Sequence, residues 1–287
     1  MMSSCWQVSF LPRQNGDPLF EEFLEEYFEV TAQNYADDGR DEYVGYLSGN
    51  FDEADMLAAA KARGLTLPPY RTTHLESANW LKDYVIEFAP FEICDFMIYG
   101  IHEKTAPQTD KIPLQIYAAT AFGSDHPTTR GCLTALSELY HDGFPARRIL
   151  DVGTGSGILS LAAAKLWTEA EFTAVDIDEE AVLVTQSNTV TNGLDGRIAC
   201  AQSDGYRAAI VKNGAPYDLI LANILARPLI EMAPDLAQCL KPGGYCILSG
   251  FVDEQTDWII SEHQKQGLRP LKVYSQENWR AALMQKA

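Results

Sequence analysis

The amino-acid sequence predicts an α/β protein with two domains, a small α+β domain followed by a larger domain built on a parallel sheet. Three observations support this prediction. A buried strand runs directly into a turn with three glycines at residues 148–157, strand and helix patterns then alternate towards the C-terminus, and the first 75 residues follow a different order, βαββαβ. A chain of 287 residues is long enough to bury a hydrophobic core in each domain.

The first 76 residues are predicted to form the small domain. Alternating apolar residues, an aromatic stripe at helical spacing and turn-rich links indicate four strands and two helices. The predicted strands are Cys5–Leu11, Val30–Tyr35, Tyr43–Leu47 and Tyr70–Leu75, and the predicted helices run from Pro18 through Tyr27 and from Asp52 through Arg63. This order is typical of a ferredoxin-like fold. Residues 1–75 include thirteen acidic and five basic side chains, with no catalytic constellation among them.

Residues 77–119 are predicted to form a connector with short strands, and residues 120–287 to form the second domain. There, apolar runs of strand length alternate with helical patterns. The predicted parallel strands are Arg148–Val152, Glu171–Ile177, Arg197–Ala201, Tyr217–Ala222 and Tyr245–Ser249, and the last helix between them is Leu229–Leu240. This alternation indicates a Rossmann-like domain, in which ligands bind beside the C-terminal ends of the strands.

The glycine-rich turn carries the pattern Asp-x-Gly-x-Gly-x-Gly. Its glycines, which let the backbone approach a ligand closely at the N-terminal end of a helix, are Gly153, Gly155 and Gly157. A dinucleotide-binding fingerprint would require a third glycine where the chain has Ile158. The pattern instead resembles the first motif of class I S-adenosylmethionine (SAM)-dependent methyltransferases. Asp151 at the end of the strand suits the amino group of a methionine moiety.

Two further acidic residues follow strands that end at the same edge of the predicted sheet. Asp176 closes the second strand, where mononucleotide-binding folds carry an acid that binds the ribose hydroxyls. Asp204 follows the third strand and suits recognition of the adenine amino group. The alternatives remain open, since Asp176 could cap the next helix and Asp204 could be an ordinary turn residue.

The formal net charge of −18 argues against a phosphate-backbone partner. Proteins that bind nucleic acid directly usually present a basic surface, whereas this chain would repel a polyanion. An acidic surface favours a basic polypeptide as substrate, although it also serves solubility alone. We therefore expect a basic protein partner and no direct nucleic-acid contact.

The cysteine pattern and the lack of a long apolar stretch limit the class of protein further. The six cysteines form no C-x-x-C pair and have no metal-ligand spacing with histidine, so we expect reduced thiols and no metal site. No transmembrane stretch and no charged-then-apolar leader occur. We expect a cytoplasmic, monomeric protein without a membrane partner.

Four motifs together resemble the ribosomal protein L11 methyltransferase family. They are Asp151 to Leu159, Val175-Asp-Ile-Asp, Ala222-Asn-Ile-Leu-Ala-x-Pro-Leu and Phe122-Gly-Ser-Asp-His-Pro-Thr-Thr. The resemblance implies a class I SAM-dependent methyltransferase domain preceded by a ferredoxin-like substrate-recognition domain. By position, the family's cofactor contacts fall on Thr129, Gly153, Asp176 and Asn223. The family's Phe-Gly-Thr-Gly-x-His loop is one residue shorter here, and its second glycine is missing.

Methyl transfer from SAM requires mainly alignment of the acceptor nitrogen with the methyl group. Asn223 at the end of the fourth strand, together with the carbonyl of Ile224, is our candidate for orienting that nitrogen. The segment lacks the Pro-Pro-Tyr/Trp of enzymes that methylate planar amides or bases, which favours an aliphatic amine. The predicted reaction is methylation of lysine side chains, with the N-terminal amine as a further acceptor, in ribosomal protein L11. The alternatives are a lysine methyltransferase for another protein, a non-catalytic SAM-binding scaffold and an NAD(P)-dependent oxidoreductase.

Overall fold

A computed structural model of the protein describes residues 5–11, 18–28, 30–35, 41–48, 51–75, 88–103, 105–117 and 126–287. The chain divides into two compact units, residues 1–84 and 85–287. The shortened loop from Phe122 to Asp125 lies outside the described residues, as does the turn at residues 36–40.

The first unit has the predicted order of elements. These are β1 (Cys5–Phe10), α1 (Pro18–Tyr27), β2 (Val30–Tyr35), β3 (Asp41–Ser48), α2 (Glu53–Ala62) and β4 (Tyr70–Leu75). The strands form one antiparallel sheet in the order β2-β3-β1-β4. Phe20 and Phe23 from the predicted aromatic stripe are buried in a core with Phe10 and Met56, which confirms their structural role. Asp52 caps α2 by accepting a hydrogen bond from the amide of Ala54 at 2.9 Å.

The second unit begins with a three-stranded sheet. It contains β5 (Phe91–Ile93), β6 (Phe96–Gly100) and β7 (Ile112–Ile116), with β5 and β6 antiparallel and β6 and β7 parallel. The backbone of Gln115 is held by the side chain of Asn192, and the backbone of Tyr117 by the side chain of Asn188. These contacts place strands from the range of the predicted connector, residues 77–119, within the larger unit.

The remaining elements form the predicted alternation of strands and helices. They are α3 (Pro127–His141), β8 (Arg148–Val152), α4 (Ile158–Leu166), β9 (Glu171–Asp176), α5 (Glu179–Thr191), β10 (Ile198–Gln202), α6 (Ala209–Gly214), β11 (Tyr217–Asn223), α7 (Ala226–Glu231), α8 (Ala233–Cys239), β12 (Leu240–Val252), α9 (Thr256–Gln264), β13 (Leu268–Gln276) and β14 (Trp279–Lys286). The prediction of one helix over Leu229–Leu240 was wrong. Pro234 has no amide proton to continue the helical ladder, and two short helices meet at Met232.

A seven-stranded mixed sheet organises this unit, in the order β10-β9-β8-β11-β12-β14-β13. The first five strands are parallel, and β14 is antiparallel to both of its neighbours. Along β11, Leu219 and Leu221 pack into one hydrophobic core, while Ile220 and Ala222 pack into the other. Both faces of the sheet are therefore covered, and a ligand can reach the parallel strands only at an edge.

No helix in the described part of the chain is long and apolar enough to cross a membrane.

Candidate active site

The glycine turn after β8 has a backbone path that requires glycine. Gly153, Gly155 and Gly157 have φ angles of +72°, +56° and +79°, in the left-handed region that other residues rarely adopt. The amides of Gly153 and Thr154 both donate to the carbonyl of Val175, at 2.8 and 3.1 Å, which ties the turn to β9. Gly157 precedes the first residue of α4, so the turn opens onto a helix N-terminus as predicted.

Asp176 lies directly beside this turn. Its Oδ2 accepts a hydrogen bond from the amide of Gly155 at 2.9 Å, and its Oδ1 accepts one from the amide of Asp178 at 3.1 Å. The cap of α5 is Asp178, whose Oδ1 accepts from the amide of Glu180 at 2.9 Å. Helix capping therefore belongs to Asp178. Each oxygen of Asp176 keeps a further lone pair, so its carboxylate can accept from two vicinal hydroxyls.

Asp151 is buried under the turn, with 2% of its surface exposed. Its Oδ2 accepts hydrogen bonds from the hydroxyls of Thr154, at 2.9 Å, and Ser160, at 2.6 Å. Burial, together with the nearby charge of Asp176, raises the pKa of Asp151 to about 6, although the hydrogen bonds from Ser160 and Thr154 act in the opposite direction. A cationic ammonium next to this carboxylate would favour its ionised form. Sequence reasoning missed Thr154 and Ser160, although hydroxyl residues at both ends of a glycine turn are a signal for such support.

The structure joins two predicted site residues that are 94 positions apart in the chain. The side-chain amide of Asn223, at the end of β11, donates to the hydroxyl of Thr129 at 3.4 Å. Thr129 lies in the first turn of α3 and is 3% exposed. Ile224, the residue after Asn223, places its side chain against Gly153, and its amide donates to the carbonyl of Ser249 at 3.1 Å. The end of β11 is thus fixed next to the glycine turn.

Two aromatic residues that sequence reasoning did not assign to the site meet at the start of α3. His126 caps α3, because its Nδ1 accepts from the amide of Thr128 at 3.3 Å. Its ring packs edge-on against Trp279, with centroids 4.8 Å apart. Burial lowers the pKa of His126, and with Nδ1 acting as an acceptor the neutral ring carries its proton on Nε2. Trp279 begins β14, which only the sheet order brings to this end of the molecule.

Asp204 follows β10 as predicted, but its carboxylate forms an ion pair with Arg207, three residues later. The Asp204 side chain is 56% exposed. Near the same strand end, Ile177 is 67% exposed, and its carbonyl accepts from the side-chain amide of Gln202 at 2.9 Å. The edge next to Asp176 therefore presents an apolar side chain and a paired carboxylate.

Glu180 in the first turn of α5 is a further acidic residue that the sequence did not single out. Burial raises the pKa of Glu180 to about 7, and the nearby charge of Asp178 contributes in the same direction. Within the described residues, no group of three or more histidine, cysteine, aspartate or glutamate side chains could hold a metal ion. The described residues at this edge offer carboxylates, amides and backbone donors, a set that fits SAM.

Comparisons with known proteins agree with this geometry. The family profile described as "Ribosomal protein L11 methyltransferase (PrmA)" matches residues 18–287. A ribosomal protein L11 methyltransferase of Brucella suis is 34% identical over 266 residues, which cover 89% of this chain and 93% of the relative. A protein of the same name from Rhodopseudomonas palustris is 32% identical over 238 residues, with 83% and 80% covered.

Among solved structures, a ribosomal protein L11 methylase from Lactobacillus delbrueckii subsp. bulgaricus is similar, with a TM-score of 0.58 and 27% identity. The match covers 67% of this chain and 94% of that chain. The resemblance inferred from the four motifs is confirmed, and the oxidoreductase alternative is excluded. On the extent of these matches, the chain belongs to the ribosomal protein L11 methyltransferase family, whose methyl donor is SAM.

Proposed function

We propose that this chain methylates primary amines of ribosomal protein L11, with lysine side chains as the main acceptors and the N-terminal amine as a further one. The observation that carries the proposal is the position of Asn223. Its amide is held by Thr129, and the next residue, Ile224, packs against the glycine turn. A polar group is thereby fixed beside the proposed cofactor site at a strand end, where a reacting nitrogen could be oriented.

The geometry of the turn supports a set of proposed cofactor contacts. Gly153, Gly155 and Gly157 would let the methionine part of SAM lie against the backbone. Asp151 would face its amino group, and Asp176 would accept from both ribose hydroxyls. We assign the adenine amino group to Asp204, which must then share its carboxylate with Arg207 or release it. Thr129 and Asn223 are proposed as further cofactor contacts, and Thr129 also holds the side chain of Asn223.

The acceptor nitrogen must be aligned with the methyl group of SAM, and water must be excluded from its surroundings. When bound, SAM supplies a methyl group on a sulfonium leaving group, and the barrier to in-line transfer falls mainly through positioning. The side-chain oxygen of Asn223 and the carbonyl of Ile224 would orient the lone pair of the nitrogen. A lysine has a reference pKa of about 10.4, so its neutral form must be favoured. Buried Ala222 and half-buried Ile224 give an apolar surrounding that disfavours the ammonium form.

The first unit would recognise the protein substrate. Its βαββαβ order and its sheet order β2-β3-β1-β4 support a ferredoxin-like assignment. Its excess of acidic over basic residues complements a basic ribosomal protein. We infer that the enzyme acts as a cytoplasmic monomer on the protein itself, without direct contact to nucleic acid.

The test is methyl transfer from labelled SAM to total ribosomal protein, followed by mass spectrometry of the labelled band. Label on lysines and on the N-terminal amine of L11 is the expected result. Label on a different protein would support the alternative of another lysine substrate. SAM binding without transfer to any protein would support the non-catalytic scaffold.

A further inference from the structure

Ile224 lies in close contact with two glycines from different parts of the chain. A Cβ atom on Gly153 would lie 2.2 Å from Cγ2 of Ile224. A Cβ atom on Gly250 would lie 2.0 Å from the carbonyl oxygen of Ile224, 2.6 Å from its carbonyl carbon and 3.0 Å from its nitrogen. Gly153 belongs to the turn after β8, and Gly250 belongs to β12. Ile224 is therefore in close contact with the C-terminal ends of both strands.

The contact with Gly250 differs in kind from the contact with Gly153. At Gly153 the neighbouring atom is the end of a side chain, which can change rotamer. At Gly250 the neighbouring atoms are backbone, and they can move only if the peptide between Ile224 and Leu225 moves. Gly250 also has a φ angle of +97°, which other residues rarely adopt. Its bare Cα therefore determines how closely β12 approaches the Ile224 carbonyl.

The Ile224 carbonyl is oriented but has no hydrogen-bond partner among the residues that the structure describes. The amide of Ile224 is anchored to the carbonyl of Ser249 at 3.1 Å. The first carbonyl that enters the hydrogen-bond ladder of α7 is that of Leu225, which accepts from the amide of Leu229 at 3.2 Å. Among the described residues, no hydrogen bond reaches the carbonyl oxygen of Ile224. An anchored carbonyl without a partner is suited to accept from a ligand.

We propose that Gly250 is a positioning residue for methyl transfer. The missing side chain at Gly250 lets the Ile224 carbonyl lie where it accepts a hydrogen bond from the acceptor nitrogen, next to Asn223. Gly250 acts through Ile224 and does not touch the substrate or the cofactor. This inference rests on the proposed function, because it assumes an amine acceptor at the end of β11.

The first test compares Gly250→Ala with Gly243→Ala. Gly243 lies in the same strand with a φ of +76°, but a Cβ there would meet nothing within 4 Å. Both variants thus carry backbone strain, and only Gly250→Ala displaces the Ile224 carbonyl. We expect Gly250→Ala to lower kcat by about 100-fold, the effect of a displacement near 1 Å, with SAM affinity within about twofold of the parent. Gly243→Ala should keep the parental kcat, and equal kcat values for the two variants would overturn the proposal.

The second test does not depend on how well Gly250→Ala folds. Leu225→Gly frees the backbone on the far side of the same peptide bond, whereas Leu225→Ala removes the side chain beyond Cβ without adding that freedom. Leu225 is 60% exposed and precedes α7 as its cap residue, a position where glycine is well tolerated. We expect Leu225→Gly to have roughly a tenfold lower kcat than Leu225→Ala at equal SAM affinity. Equal kcat values would show that the carbonyl need not be held in place.

The parent enzyme separates this inference from the proposed function. If the parent binds SAM but transfers no methyl group to L11, the proposed function fails and the inference fails with it. If the parent methylates L11 and either pair of variants shows equal kcat values, only the role of Gly250 and the Ile224 carbonyl is refuted.

Discussion

Replacing Asp176 by alanine should remove most of the affinity for SAM. The carboxylate stands beside the glycine turn, held by the amides of Gly155 and Asp178 at 2.9 and 3.1 Å. Two charge-assisted hydrogen bonds from ribose hydroxyls contribute roughly 1.5–3 kcal/mol each. Their combined loss corresponds to about two to four orders of magnitude in Kd. Loss of the hydrogen bond from the amide of Gly155 also loosens the turn. We therefore expect the increase in the Kd for SAM to lie near the upper end of this range.

The assay is calorimetric titration of Asp176→Ala with SAM, and Asp178→Ala is the matched control. Asp178 is an aspartate two residues away, and its side chain caps α5. Its removal should cost about 1 kcal/mol of stability and change the Kd for SAM less than twofold. An affinity of Asp176→Ala within about twofold of the parent would remove Asp176 from the ribose site. An equal loss in both variants would show that negative charge at this edge matters, and not the specific carboxylate.

Three further predictions concern turnover, the two units and pH. Asn223→Ala should lower kcat by about tenfold or more while the Kd for SAM changes less than threefold, because the side chain orients the acceptor nitrogen. Unchanged turnover at saturating SAM and protein substrate would show that Asn223 is only a loop residue. Residues 85–287 alone should bind SAM but methylate full-length L11 poorly, because linkage to the first unit raises the effective concentration of substrate. Equal methylation rates for the intact and truncated chains would show that the first unit does not recognise the substrate. Burial raises the pKa of Glu180 from 4.5 to about 7. The folded chain therefore binds the proton of this carboxyl group more tightly than the unfolded chain does, and the stability of the fold decreases as pH rises from about 4.5 to 7. Thermal unfolding of Glu180→Gln should show a flatter Tm over this range than the control Glu179→Gln, and identical profiles would contradict the assignment.

The elements with local causes were predictable from the sequence. The glycine turn depends on φ angles that only glycine adopts readily, and its spacing counted against a dinucleotide-binding fingerprint. The alternation of strand and helix patterns follows from side-chain periodicity, and it correctly located the strand that ends at Asp176. The order of elements in residues 5–75 was predictable for the same reason. The helix break at Pro234 was predictable in principle, because proline removes a backbone donor, yet it was missed.

The contacts that complete the site were decided only by the tertiary structure. The sequence marked Thr129 and Asn223 as separate candidates through a family resemblance, but the hydrogen bond between them exists because α3 packs beside the end of β11. The position of Trp279 near His126 depends on the insertion of β14 between β12 and β13. Similarly, nothing in the local sequence shows that Gly250 faces the Ile224 carbonyl. Backbone preferences and periodicity act within a few residues, so one stretch of sequence can determine a turn or a strand. Which distant strands become neighbours depends on how all the apolar faces are buried together, and that was decided by the fold as a whole.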